Sequence, residues 1–101
     1  MGAQATKDLT LAAANGTTLE AVWAMEQGAD LDSAVNSYTP LMRATNWGHV
    51  DIVAALIAEG ADMFATDRRR RTALDWARIA RQDKVARVLE RAMENDIRYR
   101  R

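Results

Sequence analysis

Cysteine is absent from this 101-residue chain, which excludes disulfide staples, zinc–thiolate sites and thiol nucleophiles, and a reducing compartment is permitted. Histidine occurs once, at His49, and the residues that a metal site or a general-base site would need beside it are not supplied. Glycine-rich phosphate loops are missing. No run approaches the roughly 20 apolar residues of a membrane-spanning helix, and no secretory leader pattern opens the chain. Aromatic residues are few (three Trp, two Tyr, one Phe) and Ala is the commonest residue, so the helices must approach one another closely. These absences set the expectation of a soluble, cytoplasmic, non-catalytic domain with no cofactor and no metal.

The net charge of zero hides a split. Met1 to Asp67 carries two cations against nine acids, whereas Arg68 to Arg101 carries twelve cations against five acids. Such asymmetry indicates an interaction preference, or an attraction between the two halves of the folded chain. Both readings stand at this stage.

A repeat organises the rest. Thr39-Pro40-Leu41-Met42-Arg43-Ala44 returns 33 residues later as Thr72-Ala73-Leu74-Asp75-Trp76-Ala77, and Gly28-Ala29-Asp30 returns after 32 as Gly60-Ala61-Asp62. A fixed period in this range marks stacked units, none of which can bury its apolar face alone. Pro40 supplies the φ of a first helical turn and Thr39 a cap for it. That helix runs to about Trp47, Gly48 permits the reversal, and Val50, Ile52, Val53, Leu56 and Ile57 line a second helix that stops at Gly60. Met63 to Arg71 reads as an extended, hairpin-like finger. The next unit repeats the plan, with Leu74 and Ala77 in one helix and Val85, Val88 and Leu89 in the other. Its last helix is charged on its far side, as the end of an array requires. The first unit assigns Leu9, Leu11 and Ala12 to one helix, Gly16 to the turn, and Leu19, Val22 and Met25 to the second.

These residues resemble the ankyrin repeat. Thr39-Pro40-Leu41 with Ala44, Gly48-His49-Val50-Asp51-Ile52-Val53, Leu56-Ile57 and Gly60-Ala61-Asp62 match that family's pattern over a full period, and the likeness extends from about Lys7 to Ala92. It implies a mainly α fold: an ankyrin-repeat solenoid of helix-turn-helix units joined by β-hairpin-like fingers, with a concave binding face. One domain over 1–101 is expected, with repeats at about 6–37, 38–70 and 71–96 and a basic tail at 97–101. The chain departs from the family at Met42 and Asp75, which replace the signature histidine, at Arg70, which replaces a finger glycine, and at Arg81, which replaces a helix-turn glycine.

His49 follows the turn glycine, and a structural role capping the second helix is expected of it. Ser33 and Ser37 lie in the first finger without a base, and Asp30 and Asp62 occupy equivalent turns, which argues for structure. The sharpest local feature is Asp67-Arg68-Arg69-Arg70-Arg71-Thr72. Four adjacent cations repel one another, and Arg70 needs a geometry that glycine adopts more cheaply. Guanidinium forks suit carboxylates and phosphates. A solvated loop whose arginines serve solubility, or pair with Asp67, is the rival reading.

The resemblance places Asn36, Tyr38, Asn46, Trp47 and Ile79 on the partner-facing side, beside Arg68, Arg69 and Arg71. Tyr, Trp and Arg dominate interface hot spots. The expected partner is therefore a protein or peptide of acidic or mixed surface. Trp76 is assigned to the core, and Trp23 either plugs the first unit or lies exposed. Nucleic acid is a weaker client of the arginines. Only Tyr99 interleaves with Arg98, Arg100 and Arg101 to stack bases, and the acidic half would repel a long polyanion. Gly2, followed by Thr6 and Lys7, also satisfies an N-myristoylation pattern. A membrane-associated adaptor, with the basic clusters as a second anchor, is thus an alternative expectation.

Overall fold

The computed structural model describes residues 2–96, so the expected basic tail at 97–101 lies outside the described residues. Six helices follow one another: α1 (Gly2–Asn15), α2 (Thr18–Glu26), α3 (Pro40–Asn46), α4 (Val50–Ala58), α5 (Ala73–Ile79) and α6 (Asp83–Glu94). They form three antiparallel pairs. The first helices stack as one layer, α3 lying between α1 and α5, and the second helices as another, α4 lying between α2 and α6. No strand occurs among the described residues, and the fold is the mainly helical solenoid that the resemblance implies. The first pair starts at Gly2, earlier than the boundary of about residue 6 set by pattern alone.

Local chemistry explains where the helices begin. Thr39 accepts from the Met42 N–H at 3.2 Å, with Pro40 in the first turn behind it. Thr72 accepts from the Asp75 N–H while the Asp75 carboxylate takes the Thr72 N–H at 2.9 Å. Asp75, one of the departures from the family pattern, thereby completes a reciprocal capping box.

The ends are equally regular. In α2 the Ala29 N–H donates to the Ala24 carbonyl and the Gly28 N–H to Met25, and in α4 Ala61 and Gly60 do the same to Leu56 and Ile57. This is the Schellman closure, which satisfies helix carbonyls that would otherwise be orphaned. It also ends α3 and α5, through His49 to Ala44 and Gln82 to Ala77.

The turns also carry the bonds between units. His49 Nε2 lies 3.2 Å from the Ala14 carbonyl, and Gln82 Nε2 donates to the Asn46 carbonyl at 3.2 Å. Each side chain crosses the preceding unit's turn glycine. A Cβ on Gly16 would stand 2.6 Å from the His49 ring, and one on Gly48 2.5 Å from the Gln82 amide. His49 does occupy the first position before α4, but its side chain makes no capping bond, contrary to expectation. It bridges repeats instead. Arg81 adopts φ 57° where the other two turns hold glycine. No further helix pair follows among the described residues to claim the space over it, so a side chain is tolerated there at the strain of a left-handed backbone.

The core runs the length of the stack: Leu9, Leu41, Met42, Ile52, Val53, Leu56, Val85 and Leu89 are fully buried, with small residues between them. In the first unit the small residues do most of the burying. Ala5, Leu9, Ala12 and Ala13 of α1 and Ala21 and Ala24 of α2 face inward. The expected inner residues Leu11 and Leu19 are instead 62% and 86% exposed. Alanine lets the two helices approach, and the larger side chains are left outside.

Two predictions follow from this packing. Leu56→Ala should cost about 2–5 kcal/mol by opening a cavity in the central unit, whereas Leu19→Ala should leave the melting temperature almost unchanged; thermal denaturation of both reads the contrast. His49→Ala should cost about 1 kcal/mol, and His49→Gln should recover most of it, because Gln82 already performs the same reach one unit later.

Candidate functional site

Two fingers build the concave face. In the first, Val35 and Tyr38 exchange both backbone hydrogen bonds, at 3.1 and 3.0 Å, across Asn36 and Ser37. Both turn residues have positive φ, 54° and 74°, the backbone of a tight two-residue hairpin. The second finger closes similarly, with Asp67 N–H donating to the Arg71 carbonyl and Arg70 N–H to the Asp67 carbonyl. Arg70 takes φ 62° at its tip, as its replacement of glycine requires.

Asp67 holds this second finger together. Its buried carboxylate accepts from the Arg69 and Arg71 N–H groups through Oδ1, at 2.8 and 2.9 Å. Oδ2 accepts from Arg71 Nε at 2.8 Å and from the Trp76 indole N–H at 3.1 Å. Burial pushes the carboxyl pKa up, but the hydrogen bonds from Arg71 and Arg69 and the Arg71 charge outweigh it and hold the pKa at about 2.

Around this anchor the rings and cations alternate. The Arg71 guanidinium lies 4.2 Å over the Trp76 ring. Trp76 meets Tyr38 edge to face, with centroids 5.6 Å apart and planes at 80°. Arg43 stands 5.7 Å from the other aromatic partner, Tyr38, and ties itself to the first finger by donating to the Val35 carbonyl at 2.6 Å. The ladder Arg43, Tyr38, Trp76, Arg71 thus joins both fingers to the second and third helix pairs. Each step adds an attraction of about 0.5–1 kcal/mol where solvent reaches it.

Two clefts open beside the ladder. One, of about 270 Å³, is lined by Tyr38, Met42, Arg43, Asn46, Trp47 and Trp76. The other, of about 290 Å³, is lined by Asn36, Ser37 and Tyr38 from one finger and Asp67, Arg68, Arg69 and Arg71 from the next. Tyr38 belongs to both. Seven of the expected site residues (Asn36, Tyr38, Asn46, Trp47, Arg68, Arg69 and Arg71) therefore share one surface, while Ile79 lines neither cleft and stands exposed at the end of α5. Trp47 is 64% exposed, an aromatic presented to solvent. Arg71 is occupied by Asp67 and Trp76, which leaves Arg68, Arg69 and Arg70 as the exposed cations of the finger. Gly2 begins α1, exposed, its carbonyl accepting the Thr6 hydroxyl at 2.8 Å.

Trp76 does more than the sequence reading assigns it. Half-buried, it packs against the core and also lines the cleft, where its indole N–H meets the Asp67 carboxylate. Arg43 and Asp67 were missed as site residues. A signal was available for Arg43 and Trp76: they stand 33 residues apart, at one position of successive units. Among the described residues no cluster of metal-ligating side chains occurs, and no helix is long and apolar enough to cross a membrane.

Because Asp67 titrates below its ordinary 3.8, its ionised form stabilises the folded finger; that contribution is intact above pH 3.8 and is lost as the pH falls through about 2. Asp67→Asn should therefore melt earlier than the parent at neutral pH, the gap narrowing on acidification and closing near pH 2. Paired thermal melts across a pH series measure this.

Comparison with known proteins agrees with the geometry. The family model "Ankyrin repeats (3 copies)" matches residues 9–99. The human protein "Ankyrin repeat and KH domain-containing protein 1" is 41% identical over 68 residues, which cover 67% of this chain and 3% of that relative's length. Ankyrin repeats are generally protein–protein interaction modules and typically non-catalytic. With three stacked helix pairs, two fingers and a family match over most of its length, the chain belongs to the ankyrin-repeat family.

Proposed function

We propose that this protein is a non-catalytic interaction module that docks an acidic segment of a partner protein along its concave face. One observation carries the reading: the aromatic cleft and the arginine cleft lie side by side and share Tyr38. Trp47 offers an apolar anchor beside Tyr38 and Trp76. Arg68 and Arg69, in a cleft whose lining holds the already occupied Asp67, offer guanidinium donors to carboxylates. The framework of the face is set before binding, since the ladder holds Arg43, Tyr38, Trp76 and Arg71 and the two closed turns hold the finger backbones, which lowers the entropy lost on docking.

The test begins with affinity capture using the wild-type chain, followed by titration of each captured protein. Trp47→Ala should weaken binding by about 2 kcal/mol, roughly 30-fold, as central aromatic anchors do. Arg69→Glu should weaken it further and flatten its dependence on salt. Unchanged affinity in the double variant would remove the proposal.

A further inference from the structure

The concave face continues over the first unit, past the two clefts already described. A third and larger cleft, of about 630 Å³, opens there, with Ala3 and Leu11 of α1 on one side and Val35 of the first finger on the other. Counted from the turns at Gly16, Gly48 and Arg81, Leu11 stands at the position of Arg43 and Trp76, so the row facing the groove reads Leu11, Arg43, Trp76. In the later units the side chain five positions upstream covers the row residue, Tyr38 meeting Arg43 and Arg71 lying over Trp76. The first unit lacks that cover. Its equivalent residue, Thr6, lies within α1 and turns its hydroxyl back to the Gly2 carbonyl at 2.8 Å. Leu11 is left 62% exposed and Val35 44%.

The lining suits apolar contact better than hydrogen bonding. The Thr10 hydroxyl donates to the Thr6 carbonyl at 3.0 Å, the Thr6 hydroxyl takes the Asp30 N–H at 2.9 Å, and the Asp30 carboxylate accepts the Asp32 N–H at 3.0 Å. A polar ligand group seated there would lose water for few new bonds, whereas an apolar one would gain by leaving water. Lys7, exposed at the rim, offsets the charge of Asp30, so the cleft does not repel an acidic chain. Arg43 connects this cleft to the aromatic one. Its guanidinium is bonded to the Val35 carbonyl, and its side chain lines the next cleft.

We infer that the docked segment is bipartite: an apolar side chain packs on Leu11 and Val35 in the first-unit cleft, while acids further along the same segment meet Arg68 and Arg69. The inference rests on the proposed docking along the concave face and specifies its ligand. The apolar side chain takes the place over Leu11 that Tyr38 and Arg71 take over Arg43 and Trp76. The two ends of the groove then recognise different chemistry, one insensitive to salt and the other weakened by it. Since the stack fixes the separation of the two clefts, the apolar residue and the acids recur at one spacing in any segment that fits.

Selection of randomised short peptides on the immobilised wild-type chain tests this. The recovered sequences should be enriched both in Asp and Glu and in Leu, Ile, Met or Phe, the two groups standing at a constant offset. Repeated on Leu11→Gln, and on Thr6→Tyr, which fills the cleft from its own wall, selection should keep the acids and lose the apolar preference. For one recovered peptide, Leu11→Gln should weaken binding about fivefold to tenfold with an unchanged dependence on salt, whereas Arg69→Glu flattens that dependence. Leu11 is exposed, so its variant should stay folded, and circular dichroism checks both. Recovered peptides rich in acids alone, or an apolar preference that survives both variants, would overturn the inference and leave the proposed docking standing. Peptides with no excess of acids would overturn both.

Discussion

Register between the units depends on a side chain reaching backwards over a glycine to a carbonyl in the last turn of the preceding first helix. Ala14 and Asn46 lie among the terminal carbonyls that an α-helix leaves unpaired, and His49 and Gln82 take them. The reach works only if no Cβ stands in the way, which is why Gly16 and Gly48 cannot be enlarged. Because the bond recurs at each step, the first helices stand at equivalent heights, and residues one period apart come out on the same side. Arg43 and Trp76 face the concave surface together for this reason.

The site inherits that dependence. Tyr38 comes from the first finger, Trp76 from α5 of the next unit, and their edge-to-face contact spans two units. Neither cleft exists within a single repeat. The electrostatics is also shared. A buried carboxylate at Asp67 takes two backbone donors, a guanidinium and an indole, so one of the four adjacent arginines is neutralised inside while the others extend outward. A buried acid left without these partners would be strongly destabilising, so the arginine finger and its anchor stand or fall together.

Much of the fold was legible because periodic signals repeat: Thr39 returns as Thr72, Ile52 and Leu56 return as Val85 and Leu89, and Gly48 and Gly60 echo Gly16 and Gly28 one unit back. The failures have specific causes. In the first unit the large apolar residues Leu11 and Leu19 were assigned inward by type, yet Ala12, Ala13, Ala21 and Ala24 occupy the interface, since close helix approach favours the smallest side chains. Trp76 packs against the core as assigned, but its place in the cleft was not read. Its polar edge is answered by Asp67, nine residues upstream, and a hairpin must close before the two can meet. His49 was placed correctly along the chain but given the wrong bond, because a helix cap is a local pattern and a bridge to Ala14 is not.

Positive φ angles show where stability has been exchanged for surface. Gly28 and Gly60 have open space around the missing Cβ and are glycine all the same, so backbone preference alone suffices to retain glycine there. Asn36, Ser37 and Arg70 adopt the same region at the two finger turns with side chains attached. Asparagine tolerates that backbone; serine and arginine are strained by it, at a penalty of about 1–2 kcal/mol each. No packing demand inside the stack requires those side chains, since Ser37 borders the outer cleft and Arg70 is exposed. Strain without an internal return points outward, to whatever the fingers meet.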